Sequence, residues 1–443
     1  MALRWILKTH YSHWNSHCPP LPCYNITMLT LPANRLTPVE IFEKLYSGYG
    51  SFLLESPPGL GRFSFIGSGP KKIIHSFSEL QKANLNHGAF GFLSYDFARE
   101  IENIPGLAED DLKTPRVFFV VPETLIVFDH EKKSIRIKAE NTAEIRARLE
   151  RGGENPLFAK WRPEFRPHGK MAPYLHRDDF LKMVAKAKEY IAAGDIYQVN
   201  LSQRFSTPIA EHPFGIYQKL RAINPSPFAS YFDFGDFHLV SSSPERLIKL
   251  EGDLAQTRPI AGTKPVTASP KELLLDAKER AEHLMLIDLE RNDLGRACKY
   301  GSVVVNEMMK IEKYSHVIHI VSNVCGRLRE DKDKFDLIKA MFPGGTITGC
   351  PKIRSMEIIE ELEPVQRGVY TGSIGYIMPE RMDFNIAIRT IVVKNGTAYI
   401  QTGAGIVADS IPEREYEETL HKAQAMFEAL RINSCTASST ANI

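Results

Sequence analysis

The sequence predicts an α+β protein in which large antiparallel β-sheets form a sandwich and helices pack outside them. Short apolar or alternating segments such as SFLLES, GRFSFIG, RVFFVVPETLIVF and FNIAIRTIVVK are typical of strands. Amphipathic helical segments lie among them without the regular strand–helix alternation of a doubly wound fold. The length of 443 residues exceeds that of a usual single core. We therefore expect one large composite domain or two domains.

Four segments have the patterns of helices. TPVEIFEKLYS has Thr37 as a predicted N-cap and Glu40 at the capping-box position. RDDFLKMVAKAKEYIAAGD has apolar residues at helical spacing, and Gly194 is its predicted C-cap. One long helix is expected over residues 269–292, and a final helix over about 413–431.

The main boundary is predicted between residues 151 and 174, where Gly, Pro and charged residues are dense. It separates an N-terminal β-rich half, residues 25–160, from a second half, residues 175–432.

Composition excludes several classes of protein. The net charge is +2 and the pI is about 8.1, so no global field attracts nucleic acid or an anionic membrane. Charged residues interrupt the apolar runs before they reach membrane-spanning length. The six cysteines form no CxxC pair and no zinc-type cluster, so a reduced, cytoplasmic compartment is expected.

Two helical segments each carry a pair of acidic residues three positions apart. Glu279 and Glu282 form one pair, and Glu415 and Glu418 form the other. Like charges at this spacing repel, so two facing pairs are typical of a site for a hydrated divalent cation such as Mg²⁺. Two solvated acidic helix faces are the alternative, and the pattern alone leaves it open.

Three segments rich in small residues have the character of anion-binding turns. They are QTRPIAGTKP, MFPGGTITGCPK with Thr346, and TGAGI with Gly403 and Gly405. Backbone N–H groups and hydroxyls in such turns can approach an anion closely. None fits a nucleotide-phosphate motif, so a small carboxylate-bearing molecule is an equally good ligand. Ordinary tight turns remain the alternative for each segment.

Three ionisable residues stand in apolar surroundings. Glu245 follows a proline at a strand end and suits a general acid if burial raises its pKa. His319 lies in an apolar stretch, where a satisfied core histidine is the alternative. Arg389, within IAIRT, requires an anionic partner from the substrate or from the protein.

Read in order, these motifs resemble those of the chorismate-utilising enzymes. GDIYQVNLSQRF, SSPERL, RPIAGTKP, KERAEHLMLIDLERNDLGR, FPGGTITGCPKIRSMEIIEELEP, FNIAIRT and GAGIVADSIPEREYEET carry the resemblance. It is dense over about residues 175–432 and thinner in the first half. The family includes anthranilate synthase component I, aminodeoxychorismate synthase component I, and the isochorismate and salicylate synthases. The resemblance implies the anthranilate synthase component I fold.

The resemblance also implies roles for particular residues. Mg²⁺ would be held by Glu282 and Glu418, with Glu279 and Glu415 nearby, and would bind the ring carboxylate of chorismate. Glu245 corresponds to the general acid that assists departure of the C4 hydroxyl. The remaining positions implied to line the site, or to bind a substrate carboxylate, are His319, Thr263, Lys264, Thr346, Tyr376, Arg389, Gly403, Ala404 and Gly405.

Two positions bear on the nucleophile. Family members that use water have a lysine at the position of Gln198, so the resemblance favours ammonia here. Many members that form 4-amino-4-deoxychorismate carry a nucleophilic lysine in PIKGT, and Ala261 stands at that position. On this interpretation the segment around Ala261 shapes the cavity and supplies no covalent amine.

The remaining motifs resemble most the branch that forms 4-amino-4-deoxychorismate on the route to 4-aminobenzoate and folate. The anthranilate-forming branch of tryptophan biosynthesis is the alternative. No glutaminase-type cysteine is present, so a separate glutamine amidotransferase subunit is expected to supply ammonia. A non-enzymatic paralogue is disfavoured because Glu245 and the metal-type glutamates are retained. A tryptophan-type pocket is implied at Leu54, Glu55, Ser56, Asn224, Pro225 and Ser226.

Overall fold

The computed structural model describes residues 27–33, 36–57, 59–151, 155–159, 172–265, 269–313 and 317–431. For residues 27, 158–159, 263–265 and 317 only the backbone is described. Part of the predicted boundary at 151–174 lies outside these ranges.

The strands, numbered in chain order, are β1 Thr27–Pro32, β2 Phe52–Glu55, β3 Phe63–Ile74, β4 Ala89–Leu93, β5 Val117–Asp129, β6 Ser134–Ala139, β7 Ala172–Pro173, β8 Gln198–Pro208, β9 Phe228–Asp233, β10 Phe237–Ser243, β11 Arg246–Glu251, β12 Leu254–Arg258, β13 Ile260–Pro265, β14 Val304–Lys313, β15 Val317–Arg327, β16 Gly349–Cys350, β17 Ser373–Ile377, β18 Arg381–Asn385, β19 Thr390–Lys394 and β20 Thr397–Ile406. The α-helices are α1 Pro38–Leu45, α2 Phe77–Lys82, α3 Thr142–Glu150, α4 Pro156–Ala159, α5 Arg177–Ala193, α6 Pro213–Ile223, α7 Pro270–Leu275, α8 Ala277–Gly295, α9 Lys334–Met341, α10 Lys352–Leu362 and α11 Pro412–Ala429. A 3-10 helix spans Tyr95–Glu100.

Strands from both halves of the chain pair in one antiparallel network. β2 lies between β3 and β9, so its two neighbours come from different halves. β4 likewise pairs with β5 and with β17. Because main-chain hydrogen bonds join the halves, the first half forms part of the same sheet structure as the second.

The apolar residues separate into layers that explain the sandwich. One cluster consists almost entirely of strand side chains from both halves, including Phe52, Phe90 and Phe232. A second cluster lies where helices α1, α3, α6 and α11 cover strands, with Phe42 and Met426 at its centre. Helices therefore pack outside strands, and the predicted fold class is confirmed.

Local capping explains where the predicted helices begin and end. Thr37 and Glu40 form the predicted capping box at the start of α1. Gly194 ends α5 with a φ of 83°, a backbone conformation that glycine adopts at little cost. The single helix predicted over 269–292 is wrong, because Asp276 divides it into α7 and α8. The Asp276 side chain accepts hydrogen bonds from the N–H groups of Lys278 and Glu279 and so starts a new helix.

The segment QTRPIAGTKP also differs from the predicted turn. Its residues belong to strands β12 and β13, which both pair with β15. A register shift at Gly262, where φ is 61°, gives the segment its irregularity. Separately, none of the helices in the described ranges has both the length and the apolar character needed to cross a membrane.

Candidate active site

The backbone around Glu245 is fixed from two directions. Glu245 follows β10, and its N–H lies 3.4 Å from the Ser243 hydroxyl. Its carbonyl oxygen accepts a 3.0 Å hydrogen bond from the N–H of Ile386. Since Ile386 lies just after β18, the position of the carboxyl is set by two strand ends.

The Glu245 carboxyl is buried, and burial raises its pKa to about 7. Thr346 and the Ile260 backbone oppose this rise. The positive charges of Lys422 and Arg389 oppose it as well. The net result is a carboxyl that still holds its proton near neutral pH, as a general acid requires.

Arg389 lies between β18 and β19 with a φ of 50°. Its carbonyl oxygen accepts a 3.1 Å hydrogen bond from the N–H of Ser242, which fixes this unusual backbone next to β10. Burial lowers the pKa of the guanidinium, and the charge of Glu245 acts in the opposite direction. Arg389 makes no ion pair with a carboxylate in the described ranges, so it is available to an anionic ligand.

Strand β20 carries Gly403, Ala404 and Gly405 opposite β8. A β-carbon on Gly403 would lie 2.5 Å from Asn200 Oδ1 and 2.9 Å from the Tyr370 hydroxyl. A β-carbon on Gly405 would lie 2.6 Å from Gln198 Nε2. Because the two glycines have no β-carbon, the polar side chains of Asn200, Tyr370 and Gln198 can pack directly against the backbone of β20.

The two acidic pairs, on α8 and α11, are near enough for their charges to interact beside the segment Gly403–Gly405, which we call the glycine cradle. Burial raises the pKa of Glu282, and the charges of Glu279 and Glu418 raise it further. Burial likewise raises the pKa of Glu415, with Glu418 again contributing. Lys422 Nζ lies 2.7 Å from Glu418 Oε1 and 3.1 Å from the Gly403 carbonyl oxygen. The negative charges therefore face one another, with one lysine among them.

This cluster is compatible with a cation that keeps part of its water shell. No group of three or more Asp, Glu, His or Cys side chains in the described ranges is close enough to form a complete set of metal ligands. The neighbouring carboxylates nevertheless help to raise the pKa of Glu282 and of Glu415, an effect that a divalent cation would reverse. Oxygen ligands of this type suit Mg²⁺. Glu282 also borders the cradle, with Oε1 4.0 Å from the β-carbon position of Gly405.

Thr346 lies in a segment whose backbone carbonyls are held by three side chains. Thr348 Oγ1 donates to the Gly344 carbonyl at 2.9 Å. Lys352 Nζ donates to the Pro343 carbonyl at 2.7 Å. Arg367 Nη1 donates to the Ile347 carbonyl at 2.8 Å, and its buried guanidinium forms an ion pair with Glu363, the residue that follows α10. Thr346 is therefore held in place beside Glu245.

Ala261 is buried in β13, across from Ile320 of β15. The next pair along is Thr263 and His319. His319 is buried, and its Nδ1 lies 3.1 Å from the Gly262 carbonyl oxygen. Burial is the main reason that the pKa of His319 is lowered. The side chains of Thr263 and Lys264 lie outside the described part of the structure, so their predicted roles stay predictions.

Tyr376 is expected from the resemblance to bind a substrate carboxylate together with Arg389. It lines a separate cavity, where its ring centroid is 4.6 Å from that of Phe65. The tyrosine at the glycine cradle is Tyr370, six residues earlier. The structure thus places Tyr376 at that cavity rather than at the glycine cradle, away from the position that the resemblance implies for it.

This separate cavity has a volume of about 780 Å³ and lies between the two halves of the chain. Leu54, Glu55 and Ser56, the first segment of the expected tryptophan-type pocket, line it, and the ligand of the cavity stays a prediction. The second predicted segment, residues 224–226, is not part of the cavity wall. The residues that follow it, 227–230, form that wall instead.

Side chains of that second segment make structural hydrogen bonds instead. Asn224 Nδ2 donates to the Ser242 carbonyl at 3.3 Å, and the Ser226 hydroxyl donates to the Ser243 carbonyl. Pro225 does not line the cavity. The assignment of Asn224, Pro225 and Ser226 to the pocket wall is therefore wrong.

The sequence did not identify three further polar residues that lie at or near the site. Lys422 is four residues after Glu418 on α11, so helical spacing already placed it on the same face. Tyr370 precedes β17 and had no periodic signal. Glu290 lies on α8, where burial, helped by the charges of Asp293 and Glu245, raises its pKa to about 8. The segment ERND, residues 290–293, is polar throughout, so the sequence does not indicate that Glu290 is buried.

Comparison with known proteins shows the family to which the chain belongs. The model of the chorismate binding enzyme family matches residues 67–428. Aminodeoxychorismate synthase component 1 from Bacillus subtilis (strain 168) is 47% identical over 388 residues, covering 82% of this chain and 83% of that protein. Anthranilate synthase component 1 from Acetivibrio thermocellus is 40% identical over 472 residues, covering 92% and 96%. The crystal structure of anthranilate synthase component I from Streptococcus pneumoniae TIGR4 has a TM-score of 0.76 at 36% identity, covering 89% and 98%. The chain belongs to the chorismate-binding enzyme family.

Proposed function

We propose that the protein aminates chorismate with ammonia to give 4-amino-4-deoxychorismate. The observation that carries this proposal is Glu245, a buried carboxyl whose pKa of about 7 lets it donate a proton at neutral pH. Gln198 stands where the water-using relatives have a lysine, which supports ammonia as the nucleophile. The relative that is 47% identical is named for the same product.

The roles of the site residues follow from their charges. Arg389 binds one carboxylate of chorismate through a charge-assisted contact. The cradle at Gly403, Ala404 and Gly405 lets the ring approach the strand. Glu245 donates its proton to the departing C4 hydroxyl, which leaves as water. His319 and Thr346 line the space beside Glu245 and orient the substrate.

We further propose Mg²⁺ as the cofactor. Glu282 and Glu418 would hold it, with Glu279 and Glu415 contributing directly or through water. When bound, the cation supplies positive charge for the ring carboxylate of chorismate.

Ala261 requires an amination route without a lysine adduct. Ammonia attacks C2 while the C4–O bond breaks, and the proton of Glu245 completes the water that leaves. A second ammonia then attacks C4 and expels the first amino group as ammonia, so one nitrogen is retained. Stopping after the first attack and eliminating pyruvate would instead give anthranilate. Ala261 is the specific observation that favours anthranilate synthesis as the second candidate function.

Two further parts of the proposal concern regulation and supply. The cavity lined by Leu54, Glu55 and Ser56 would bind an amino acid of the tryptophan type. A separate glutamine amidotransferase would supply ammonia, in keeping with the "component 1" in the names of both relatives. We place the reaction in the cytoplasm.

The deciding experiment is a product assay with purified protein, chorismate, Mg²⁺ and ammonium chloride, read by mass spectrometry and by anthranilate fluorescence. Accumulation of 4-amino-4-deoxychorismate supports the proposal, and anthranilate with pyruvate supports the second candidate. Glu418→Ala should abolish Mg²⁺-dependent turnover, with exposed Glu428→Ala on the same helix as control. Full activity of Glu418→Ala would contradict the metal assignment.

A further inference from the structure

Strand β8 presents two buried amide side chains to the glycine cradle. Gln198 and Asn200 are two positions apart and therefore lie on the same face of the strand. Their exposed fractions are 4% and 8%. In the described ranges, neither Gln198 Oε1 nor Asn200 Oδ1 has a hydrogen-bond partner. Two buried carbonyl oxygens on one face of β8 thus lack donors.

Backbone groups of both residues make hydrogen bonds, unlike the two side-chain carbonyl oxygens. The N–H of Asn200 donates to the Thr348 carbonyl at 2.9 Å, and its carbonyl accepts from Arg367 Nη2 at 2.6 Å. The Gln198 carbonyl accepts from the Ser355 hydroxyl at 3.1 Å. A buried acceptor without a partner costs about 1–3 kcal/mol. The rigid strand therefore holds two acceptors in place for a ligand.

The chemistry of these acceptors selects the ligand. Carboxylates only accept hydrogen bonds, so neither carboxylate of chorismate can satisfy an amide carbonyl oxygen, and the single O–H of its C4 hydroxyl can satisfy at most one of the two. A small molecule with several N–H donors can satisfy both. Glu282 is also close to Gly405, because its Oε1 lies 4.0 Å and Gln198 Nε2 lies 2.6 Å from the β-carbon position of that glycine.

We propose that Gln198 and Asn200 form the binding site for the ammonia that attacks chorismate. This inference rests on the proposed function. Ammonia donates N–H groups to the two carbonyl oxygens and keeps its lone pair for the ring carbon. As the C–N bond forms and the C4–O bond breaks, Glu245 gives its proton to the leaving hydroxyl. The surplus proton of the new ammonium group then returns to Glu245, which leaves an amine and water.

The test uses the purified full chain with ammonium chloride as the nitrogen source at one fixed pH. Asn200→Leu and Gln198→Leu keep the approximate side-chain volume and remove the acceptor. We expect each to raise the KM for ammonium by about tenfold, the equivalent of 1.4 kcal/mol, and to change the KM for chorismate less than about twofold. Gln203→Leu is the control. Gln203 is a buried amide on the opposite face of β8 whose Nε2 donates to Thr419 at 2.5 Å.

Each of the other possible results would contradict the proposed ammonia site. An equal rise in both KM values would overturn the ammonia site and assign the two residues to chorismate binding. An unchanged KM for ammonium in both folded variants would also overturn it, as would an equal effect in Gln203→Leu. Failure of the proposed function is separately visible, because the unmodified protein would then form no aminated product from chorismate. Thermal unfolding of each variant shows whether it is folded.

Discussion

Gly403 packs so closely against Asn200 that a β-carbon added to the glycine would lie 2.5 Å from Asn200 Oδ1. The same atom would lie 2.7 Å from the Leu201 carbonyl oxygen, which belongs to the neighbouring strand and cannot rotate away. The absence of a side chain at this position is therefore part of how the site is built.

Gly403→Ala should consequently lower kcat/KM for chorismate by about tenfold or more, since overpacking of this kind costs about 1–3 kcal/mol. The measurement is steady-state kinetics together with thermal unfolding. Gly295→Ala is the matched control, because a β-carbon there meets no heavy atom within 4 Å. Unchanged kinetics for Gly403→Ala would show that the substrate does not use this part of β20.

Tyr370→Phe and Tyr376→Phe should have different effects on chorismate. Tyr370 places its hydroxyl at Gly403, so its loss should raise the KM for chorismate by roughly threefold to tenfold, the equivalent of one neutral hydrogen bond. Tyr376 lines the separate cavity, so its variant should stay within about twofold of the unmodified protein. A larger effect of Tyr376→Phe would return Tyr376 to the chorismate site.

The pH dependence of turnover should report the proton on Glu245. A general acid must hold its proton in the free enzyme, so kcat/KM for chorismate should fall as the pH rises through about 7, at constant free ammonia. Glu245→Gln should lower kcat by about 10²–10⁴-fold and remove this descending limb. Glu251→Gln, at the end of β11, should keep it. A limb that persists in Glu245→Gln would assign the titration to another group.

Glu290 should make folding stability depend on pH. Its pKa in the folded protein is about 8, against 4.5 for an ordinary glutamate. Between these values the folded state binds more protons than the unfolded state, so stability falls as the pH rises and levels off above about 8. The charged groups that face it are Asp293 and Glu245, which favour the proton, and Lys352, which opposes it.

Glu290→Gln cannot ionise and should have a flatter stability profile. Its advantage over the unmodified protein should grow by at most about 1.4 kcal/mol per pH unit within this window. Urea unfolding at pH values of about 6 and about 8.5 would measure the difference. Parallel profiles for the two proteins would mean that Glu290 does not titrate in this range.

The correct sequence predictions depend on short stretches of chain. The capping box of Thr37 and Glu40 and the C-cap at Gly194 are local, since each involves contacts within a single turn. The prediction of one long helix over residues 269–292 is wrong for an equally local reason, because Asp276 caps α8 and thereby ends α7. The helical spacing of the residues in this segment was evident from the sequence, but the role of Asp276 as an N-cap within it was not.

The site shows the same division between local and distant information. Helical spacing paired Glu279 with Glu282 and Glu415 with Glu418, and motif resemblance singled out Glu245 and Arg389. Which tyrosine faces the cradle depended on the pairing of β17 with β4 and β18, which joins residues that are far apart in the chain. A resemblance of motifs does not specify the side of a sheet.

The sequence by itself determined the family, the α+β class and the residues that we propose for acid and metal chemistry, because side-chain type and short-range spacing are written directly in the chain. Only the tertiary structure decided that Tyr370 rather than Tyr376 meets Gly403, and that residues 227–230 rather than 224–226 form the cavity wall. It also decided that Gln198 and Asn200 hold acceptors without donors. These facts depend on strand register, and in a strand a shift of one residue turns every side chain to the opposite face.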